Sequence, residues 1–401
     1  MRVLLGAFGD PGHAFPVLAL GAELVARGHE VGIETWARWR EPAEAAGMTF
    51  AAAPEYQVFP TREVPLKPYE AAARAAVTTR DFVRSFAPDV AVSDILTAAP
   101  VLACELEGVP VATLVPHVFP YLPPGFPPFS IGARLPRTRV GRALWAKTDR
   151  LVAKGLEQGR LEYNDCRARL GLPPLPYPHT GLSRGLTMIG TFPQLEYPRV
   201  WPAWTRVIGP MLWEPGGPAV APPAGSGPVV LVAPSTSQDP SGSLIDAALT
   251  GLADEAVRVI AIAPEDRPAP ANAVLVPWMS YAGTMPHCDL VICHGGHGTV
   301  ARALASGVPV LICPAAGDMA ETAARVDWAG VGVRLAPRFG TPSGVRLAVR
   351  RALRSRALRE RAGELADWAR LHPGPAEAAA QLERWAATVA TASSRAGQPA
   401  A

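Results

Sequence analysis

The sequence predicts an α/β protein made of two doubly wound parallel-sheet domains. Short apolar runs alternate with amphipathic stretches along most of the 401 residues, and buried parallel strands read as continuous apolar runs. The alternation is interrupted by a Pro/Gly-rich segment at 209–228 and then begins again. Hydrophobic residues make up 49% of the chain and charged residues 18%, which is enough for a large core and argues against disorder.

The first half alternates strands and helices from the N-terminus. The apolar run at 2–8 predicts a strand, and 15–28 predicts a helix that ends at Gly28. A second strand is predicted at 30–36. Further apolar runs predict strands at 88–94, 109–116 and 185–192.

The second half repeats this pattern after the Pro/Gly-rich segment, which has the composition of a linker. Apolar runs predict strands at 228–234, 257–264, 272–278, 289–296, 309–315 and 331–335, and two helical segments are expected after 342. The expected division is an N-terminal domain at 1–208, a linker at 209–228, a second domain at 229–365, and a C-terminal helix and tail at 366–401. Ligands of such sheets bind beyond the carboxyl ends of the strands, so we expect a cleft between the two domains.

Charge and cysteine content restrict the class of partner. A formal net charge of +3 is too small to indicate a nucleic-acid partner. The five cysteines form no CxxC pair and predict reduced core thiols, as is typical of a cytoplasmic protein. We expect neither a signal peptide nor an integral membrane segment. The basic stretch at 346–362 is either a membrane-surface patch or, more simply, a solvated helix face.

The turn after the first strand, GAFGDPGHAFP at 6–16, has two interpretations. Its GxxGxxG spacing, with Glu34 at the end of the next strand, is that of a weak dinucleotide-binding motif. Pro11 removes a backbone donor from this turn, and His13 stands where a pyrophosphate would need close approach; both count against dinucleotide binding.

The alternative is that His13 is a general base. We expect it just before a helix N-terminus, where the helix dipole disfavours the imidazolium and keeps the ring neutral. Asp94 ends a strand at the same sheet edge, where it can orient His13 and stabilise its charged form. The simpler readings are a histidine that packs on the helix and an aspartate that caps the next helix.

A second glycine-rich turn, CHGGHGT at 293–299, predicts a phosphate site. Backbone N–H groups at a helix N-terminus bind phosphate, and glycines allow close approach. His294 offers a ring N–H and Thr299 a hydroxyl, and the turn at 233–242 lies at an equivalent strand end. Two such turns suit a diphosphate. The nearby histidines and cysteines match no zinc spacing, so no metal is expected.

With these motifs the chain resembles the bacterial family 1 glycosyltransferases of natural-product (antibiotic) biosynthesis, which have the GT-B fold. The motifs that carry the resemblance are Gly12-His13-Ala14-Phe15-Pro16 and the segments 232–240, 276–278, 293–299, 307–314 and 317–326. The resemblance implies two Rossmann-like domains that face a cleft. It also implies an inverting, metal-independent hexosyltransferase that moves a sugar from a TDP- or UDP-sugar to a hydroxyl of a small hydrophobic aglycone, as a monomer or homodimer.

The resemblance also implies roles by position. His13 matches the catalytic base and Asp94 the acid that orients it, and Trp278 matches the residue that stacks on the nucleotide base. The other expected donor-binding residues are Ser235, Thr236, Ser237, Val276, His294, Gly295, Gly296, His297, Gly298, Thr299, Asp318 and Met319.

One departure from the family bears on the donor sugar. Where the family often has Asp-Gln followed by Asn two residues later, this chain has Asp318-Met319 and Glu321. Methionine cannot hydrogen-bond a hydroxyl as glutamine does. This substitution favours a deoxysugar, on TDP rather than UDP, because a missing hydroxyl then leaves no buried group unpaired.

The acceptor site is predicted from segments rich in proline and aromatic residues at 57–65 and 114–130. Phe59, His117 and Phe119 are the expected contacts, unless these loops simply pack on the domain. Asp10 either caps its turn or contacts the acceptor. Two other functions stay open: an epimerase-like GT-B enzyme acting on nucleotide sugars, and an auxiliary glycosyltransferase-like binding protein.

Overall fold

A computed structural model describes residues 1–53, 69–178, 181–235, 239, 241–264, 266–315 and 317–396, the last range with side chains to residue 391. In these ranges the chain forms two parallel sheets with helices on both faces. Every strand predicted from an apolar run is present. Both sheets are built around buried Val, Leu and Ile side chains.

The N-terminal sheet has the strand order β3-β2-β1-β4-β5-β6-β7. Its strands are β1 (Arg2–Gly6), β2 (Glu30–Thr35), β3 (Thr49–Ala52), β4 (Val90–Asp94), β5 (Val111–Val115), β6 (Thr187–Ile189) and β7 (Thr205–Val207). Its helices are α1 (Pro11–Ala26), α2 (Arg40–Ala45), α3 (Glu70–Phe86), α4 (Ala98–Leu106), α5 (Arg139–Trp145) and α6 (Asp149–Arg169). The sequence did not predict β3 and β7, which are short and only partly buried.

The second sheet has the order β10-β9-β8-β11-β12-β13. Its strands are β8 (Val229–Ala233), β9 (Arg258–Ile262), β10 (Ala273–Val276), β11 (Leu290–Cys293), β12 (Val310–Ile312) and β13 (Gly332–Arg334). The helices that follow are α7 (Ser243–Leu252), α8 (Tyr281–Thr284), α9 (His297–Ala305), α10 (Asp318–Ala329), α11 (Pro342–Arg354), α12 (Arg356–Leu371) and α13 (Gly374–Ala396).

The helices at the C-terminus differ from the expectation. Three helices follow residue 342 rather than two, because Ser355 ends α11 and accepts a hydrogen bond from the N–H of Leu358 to cap α12. Helix α12 runs through the expected boundary at residue 365. Helix α13 then crosses back to the N-terminal sheet, where Leu382 joins the core cluster of α1.

The two sheets share packing where they meet. Val118, Phe192 and Leu195, from segments at the carboxyl edge of the N-terminal sheet, belong to the core cluster of the second sheet. The connection at 209–228 contains no helix or strand, and Glu214 in it accepts the N–H groups of Tyr281 and Ala282 at the start of α8. The connecting segment is therefore docked on the second sheet's domain.

All five cysteines are free and buried, as the sequence predicted. Burial raises the pKa of the Cys288 and Cys293 thiols to about 12, so these two side chains stay protonated. Within the described part of the chain, no helix has the length and apolarity of a bilayer span.

Glu34 is buried in the core and is not a ligand-binding carboxylate. Its Oε1 accepts a hydrogen bond from the Thr79 hydroxyl at 2.8 Å, and Oε2 has no hydrogen-bond partner in the described structure. Burial outweighs the Thr79 hydrogen bond and raises the pKa of Glu34 from 4.5 to about 7. This position is where a dinucleotide motif would hold a ribose.

The buried Glu34 predicts a pH-dependent stability. The native state favours the neutral acid, whereas the unfolded side chain ionises near its ordinary pKa, so stability falls as pH rises toward and through 7. We expect the wild type to lose about 2 kcal/mol between pH 5 and pH 8 relative to Glu34→Gln. Urea unfolding of both proteins at the two pH values measures this, and parallel losses would contradict it.

Candidate active site

The pairing of β1 with β4 brings His13 to Asp94. Helix α1 begins at Pro11, earlier than predicted, so His13 lies inside the first helical turn and not before it. Asp94 is the last residue of β4, and its side chain is fully buried. The His13 Nδ1 lies 2.8 Å from Asp94 Oδ1, and the Thr97 hydroxyl donates to Oδ2 at 3.2 Å.

Two predicted effects act on His13 in opposite directions, a helix dipole that disfavours the imidazolium and an Asp94 carboxylate that stabilises it. Burial also opposes the charged ring, but Asp94, with smaller contributions from Asp318 and Asp10, outweighs it and raises the pKa of His13 above its ordinary value. A full charge at hydrogen-bond distance therefore has the larger effect.

His117 lies beside His13 in the same cleft. The ring centroids are 6.2 Å apart and nearly perpendicular. His117 Nδ1 lies 2.8 Å from the Val118 carbonyl, which can only accept, so the proton is on Nδ1 and Nε2 carries a lone pair. Burial and the nearby His13 lower the pKa of His117. A neutral ring that can accept a hydrogen bond therefore faces the base.

The other predicted acceptor residues have different positions. Phe119 is 1% exposed and packs against Trp201, so its ring does not line an open pocket as predicted. Asp10 precedes α1 without capping it and lies 3.6 Å from Arg38 Nη2. Phe59 falls outside the described residues.

The turn at 293–299 provides open space for a ligand at the N-terminus of α9. A Cβ on Gly296 or Gly298 would meet no atom within 4 Å. Gly295 has a φ of +95°, and a Cβ there would lie 3.0 Å from the Met319 carbonyl oxygen, so the turn packs directly on α10. The predicted glycines therefore have two roles, since two leave room for a ligand and one permits the contact with α10.

His294 does not present a free ring N–H, in contrast to the prediction. Its Nδ1 accepts the N–H of Ser235 at 2.9 Å. Its Nε2 lies 3.3 Å from Asp239 Oδ2, so both ring nitrogens have protein partners. Burial lowers the pKa of His294 and keeps the ring neutral. The ring connects the turn after β8 with the turn after β11, so its role in the site is structural.

Asp239 was not predicted as part of this site. Burial would raise its pKa, but the N–H groups of Leu244 and Ser243 at the start of α7, with nearby hydroxyls, lower it to about 2. The sequence contains the signal, because an Asp followed by Pro-Ser-Gly-Ser and an apolar run is typical of a helix start.

The remaining donor-side residues are only partly brought together. The Thr299 hydroxyl interacts with that of Tyr281. The His297 ring is buried against Gly190 and His117 of the first domain, and burial lowers its pKa to about 3. The predicted donor contact of His297 stays a prediction, and its ring is neutral. Thr236 and Ser237 lie outside the described residues.

Val276 is the last residue of β10, and Trp278 follows two residues later. The Trp278 ring is 49% exposed, and its Nε1 donates to the Gly216 carbonyl at 3.2 Å, so one edge is held by the connecting segment. The Val276 carbonyl accepts the N–H of Ala263 at 3.0 Å. An exposed, anchored indole face is suited to stacking.

Asp318 lies near enough to His13 and His117 for its charge to act on both rings. It is exposed at the first position of α10. Glu321, one turn along, is instead buried in an ion pair with Arg325 at 2.8 Å. Among the described residues, no three His, Cys, Asp or Glu side chains are grouped so that they could hold a metal ion. The site therefore combines a base, a facing carboxylate and an open helix N-terminus.

The pKa of His13 provides a direct test of this geometry. We expect NMR titration of the His13 ring to give a pKa above 6.5, and Asp94→Asn to lower it, because the substitution removes the charge that favours the imidazolium. An unchanged His13 pKa in Asp94→Asn would contradict the assignment.

Comparison with known proteins extends these observations. Residues 247–385 match the family model described as erythromycin biosynthesis protein CIII-like, C-terminal domain. The chain is 30% identical to 4'-demethylrebeccamycin synthase of Lentzea aerocolonigenes, over 91% of this chain and 95% of that protein. It is 27% identical to O-mycaminosyltylonolide 6-deoxyallosyltransferase of Streptomyces fradiae, over 98% and 99% of the two chains.

A solved structure shares the fold. The glycosyltransferase VinC in complex with dTDP superposes with a TM-score of 0.69 and 20% identity, over 97% of this chain and 100% of that one. The two facing parallel-sheet domains are those of the GT-B fold. By its similarity along nearly the whole length of 4'-demethylrebeccamycin synthase, the chain belongs to the GT-B family 1 glycosyltransferases of natural-product (antibiotic) biosynthesis.

Proposed function

We propose that the protein is an inverting enzyme that moves a deoxyhexose from a TDP-sugar to a hydroxyl of a small hydrophobic aglycone, with His13 as the base. The observation that carries the proposal is the buried Asp94 at 2.8 Å from His13 Nδ1, with Asp318 facing the same ring. In this proposal the acceptor occupies the N-terminal domain and the nucleotide sugar the second domain. His117 Nε2 is placed to accept a hydrogen bond from the acceptor.

The proton transfer follows from the tautomer of His13. Because Nδ1–H donates to Asp94, Nε2 has the lone pair that takes the proton of the acceptor hydroxyl. The acceptor oxygen then forms a bond to the anomeric carbon while the bond from that carbon to the diphosphate oxygen breaks. Attack and departure occur on opposite faces, so the anomeric centre inverts. Asp94 stabilises the imidazolium that forms.

The leaving diphosphate gains negative charge, and α9 offers groups that stabilise it. The first backbone N–H groups of α9 lie behind Gly296 and Gly298, where space is open. These N–H groups and the helix dipole favour an anion at that point. We propose that they stabilise the diphosphate without a metal ion and that Trp278 stacks on the nucleotide base.

The proposed donor rests on Met319 and on the relatives. The S. fradiae relative is named a 6-deoxyallosyltransferase and VinC was solved with dTDP, which supports a deoxysugar on TDP. Met319 follows Asp318 at the start of α10, its main chain lies against Gly295, and its side chain is half-buried. A thioether there offers a sugar hydroxyl no good hydrogen-bond partner.

Removal of the base tests the reaction. We expect His13→Ala to lower kcat on an alcohol acceptor by roughly 10²–10⁴-fold, because the hydroxyl then has no proton acceptor. A phenolic acceptor should lose less, since it ionises more readily. His287→Ala, at an exposed position away from the cleft, is the matched control and should keep wild-type turnover. Near-normal alcohol transfer by His13→Ala would exclude this base.

The donor preference is tested by Met319→Gln. We expect wild-type protein to prefer TDP-6-deoxyglucose to UDP-glucose. We expect Met319→Gln to shift kcat/KM toward TDP-glucose over TDP-6-deoxyglucose by about five- to tenfold, the value of one hydrogen bond of about 1 kcal/mol. Mass spectrometry of the products from mixed donors measures the ratio. A strong wild-type preference for UDP-glucose would contradict the donor proposal.

A further inference from the structure

A buried cluster of charges joins the two domains, and the proposed reaction does not use it. Its four members are Glu196 and Arg199 of the N-terminal domain and Glu321 and Arg325 of α10. The side chains of all four are at most 3% exposed. Such a cluster is unusual in a core and calls for a physical explanation.

Arg325 lies at the centre of the cluster. Its Nε donates to Glu321 at 2.8 Å and its Nη1 to Glu196, across the domain boundary, at 2.9 Å. Nη1 also lies 3.2 Å from the Leu195 carbonyl, and the guanidinium lies 3.8 Å from the centre of the Tyr197 ring. A side chain of the donor domain is thus held by one carboxylate of its own helix and by three residues of the acceptor domain.

Glu196 extends these contacts toward the acceptor side of the cleft. Besides Arg325, its Oε2 receives Arg199 at 2.9 Å, and its Oε1 accepts the N–H of Phe119 at 2.6 Å. Phe119 is two residues after His117, whose ring is held by the carbonyl of Val118 between them. The Glu196 carboxylate therefore holds the backbone of the segment that contains His117, whose ring lies beside His13.

Through Arg325, the cluster also connects to helix α10 on the donor side of the cleft. Helix α10 contains Glu321 and Arg325 and begins at Asp318, the carboxylate that faces His13. The turn that leaves room for a diphosphate packs on this helix through Gly295 and Met319. One carboxylate thus connects the His117 segment with the helix that carries the proposed sugar contact.

We propose that Glu196 is a positioning residue that holds the acceptor hydroxyl in register with the anomeric carbon of the donor sugar. The inference rests on the proposed function. In-line attack requires the reacting atoms to meet at a defined distance, and small displacements lower the rate steeply. A small, mobile water molecule needs no such fixed orientation. When the acceptor is displaced, water therefore attacks the anomeric carbon more often than the acceptor does.

The competing reaction has a defined balance. A water oxygen forms the bond to the anomeric carbon, the bond to the diphosphate oxygen breaks, and one water proton passes to His13. The products are free sugar and nucleoside diphosphate. The ratio of glycoside to free sugar therefore reports the register of the acceptor, whereas a general loss of folded protein lowers both products together.

Glu196→Gln is the test variant because it retains the shape and the carbonyl oxygen that can accept from Phe119. It removes one negative charge and leaves Arg325 and Arg199 against a single carboxylate, which loosens the contact across the boundary. The matched control is Glu105→Gln. Glu105 pairs with the buried Arg167 at 2.5 Å, entirely within the N-terminal domain.

Two measurements decide the proposal. The first is the glycoside-to-free-sugar ratio with TDP-6-deoxyglucose as donor and 4-methylumbelliferone as acceptor. We expect Glu196→Gln to lower it at least tenfold, with a TDP dissociation constant within about threefold of wild type. We expect Glu105→Gln to keep the wild-type ratio, even if it lowers Tm as much.

The second measurement needs no turnover. Spin labels at Val200 and Leu347, which are 96% and 63% exposed on the two domains, report the interdomain distance. We expect a broader distribution in Glu196→Gln and an unchanged one in Glu105→Gln.

The outcomes separate this inference from the proposed function. A wild-type ratio in Glu196→Gln, or an equal fall in Glu105→Gln, overturns the positioning role and leaves the proposed function intact. If the wild type uses no nucleotide sugar, the proposed function is wrong, and the distance distribution alone decides whether Glu196 fixes the two domains. An unchanged distribution in Glu196→Gln then overturns the inference.

Discussion

The pairing of β1 with β4 is the constraint on which the site depends. It places the helix after one strand beside the last residue of the other, so His13 and Asp94, which are 81 positions apart, meet at 2.8 Å.

The second sheet repeats the arrangement, because β8 pairs with β11 and His294 meets Asp239 there. The pKa of His13 is raised and that of His294 lowered. Asp94 lies 2.8 Å from its histidine, whereas Asp239 lies 3.3 Å from His294 and also caps α7. One topology thus supports a histidine of raised pKa in one domain and a neutral structural ring in the other.

The two domains meet through apolar packing and a buried charge cluster together. Phe192 and Leu195 join the core of the second sheet, and Arg325 reaches in the opposite direction to Glu196. Apolar packing supplies most of the favourable free energy, but it is not directional. Buried ion pairs contribute little net stability, because desolvation offsets the attraction, yet they impose a geometry. The boundary therefore combines a non-specific attraction with a specific register, which suits a reaction that must align groups from both domains.

Much of the fold and part of the site could be predicted from the sequence. Each buried strand is a continuous apolar run, and the glycine-rich turns mark where α1 and α9 begin. The sequence therefore predicted that His13 and Asp94 lie at strand ends and that the turn at 293–299 precedes a helix, while the roles of these residues stay predictions. What the sequence did not predict is where side chains point. His297 and Phe119 are buried at the domain boundary and in the core, respectively, although their neighbours in sequence line the cleft. The direction of a side chain cannot be predicted from neighbouring residues in the sequence, because it depends on distant segments that pack against it.

The sequence by itself determined the elements, their apolar faces and the residue types available at each strand end, because periodicity and turn chemistry act over a few residues. Only the tertiary structure decided the electrostatics. It raised the pKa of His13 through Asp94, raised that of Glu34 to about 7 through burial, and placed Arg325 between two carboxylates. Each of these outcomes depends on distance and on exclusion of water. Both are set by segments far apart in the chain that meet only when the two sheets have formed and packed.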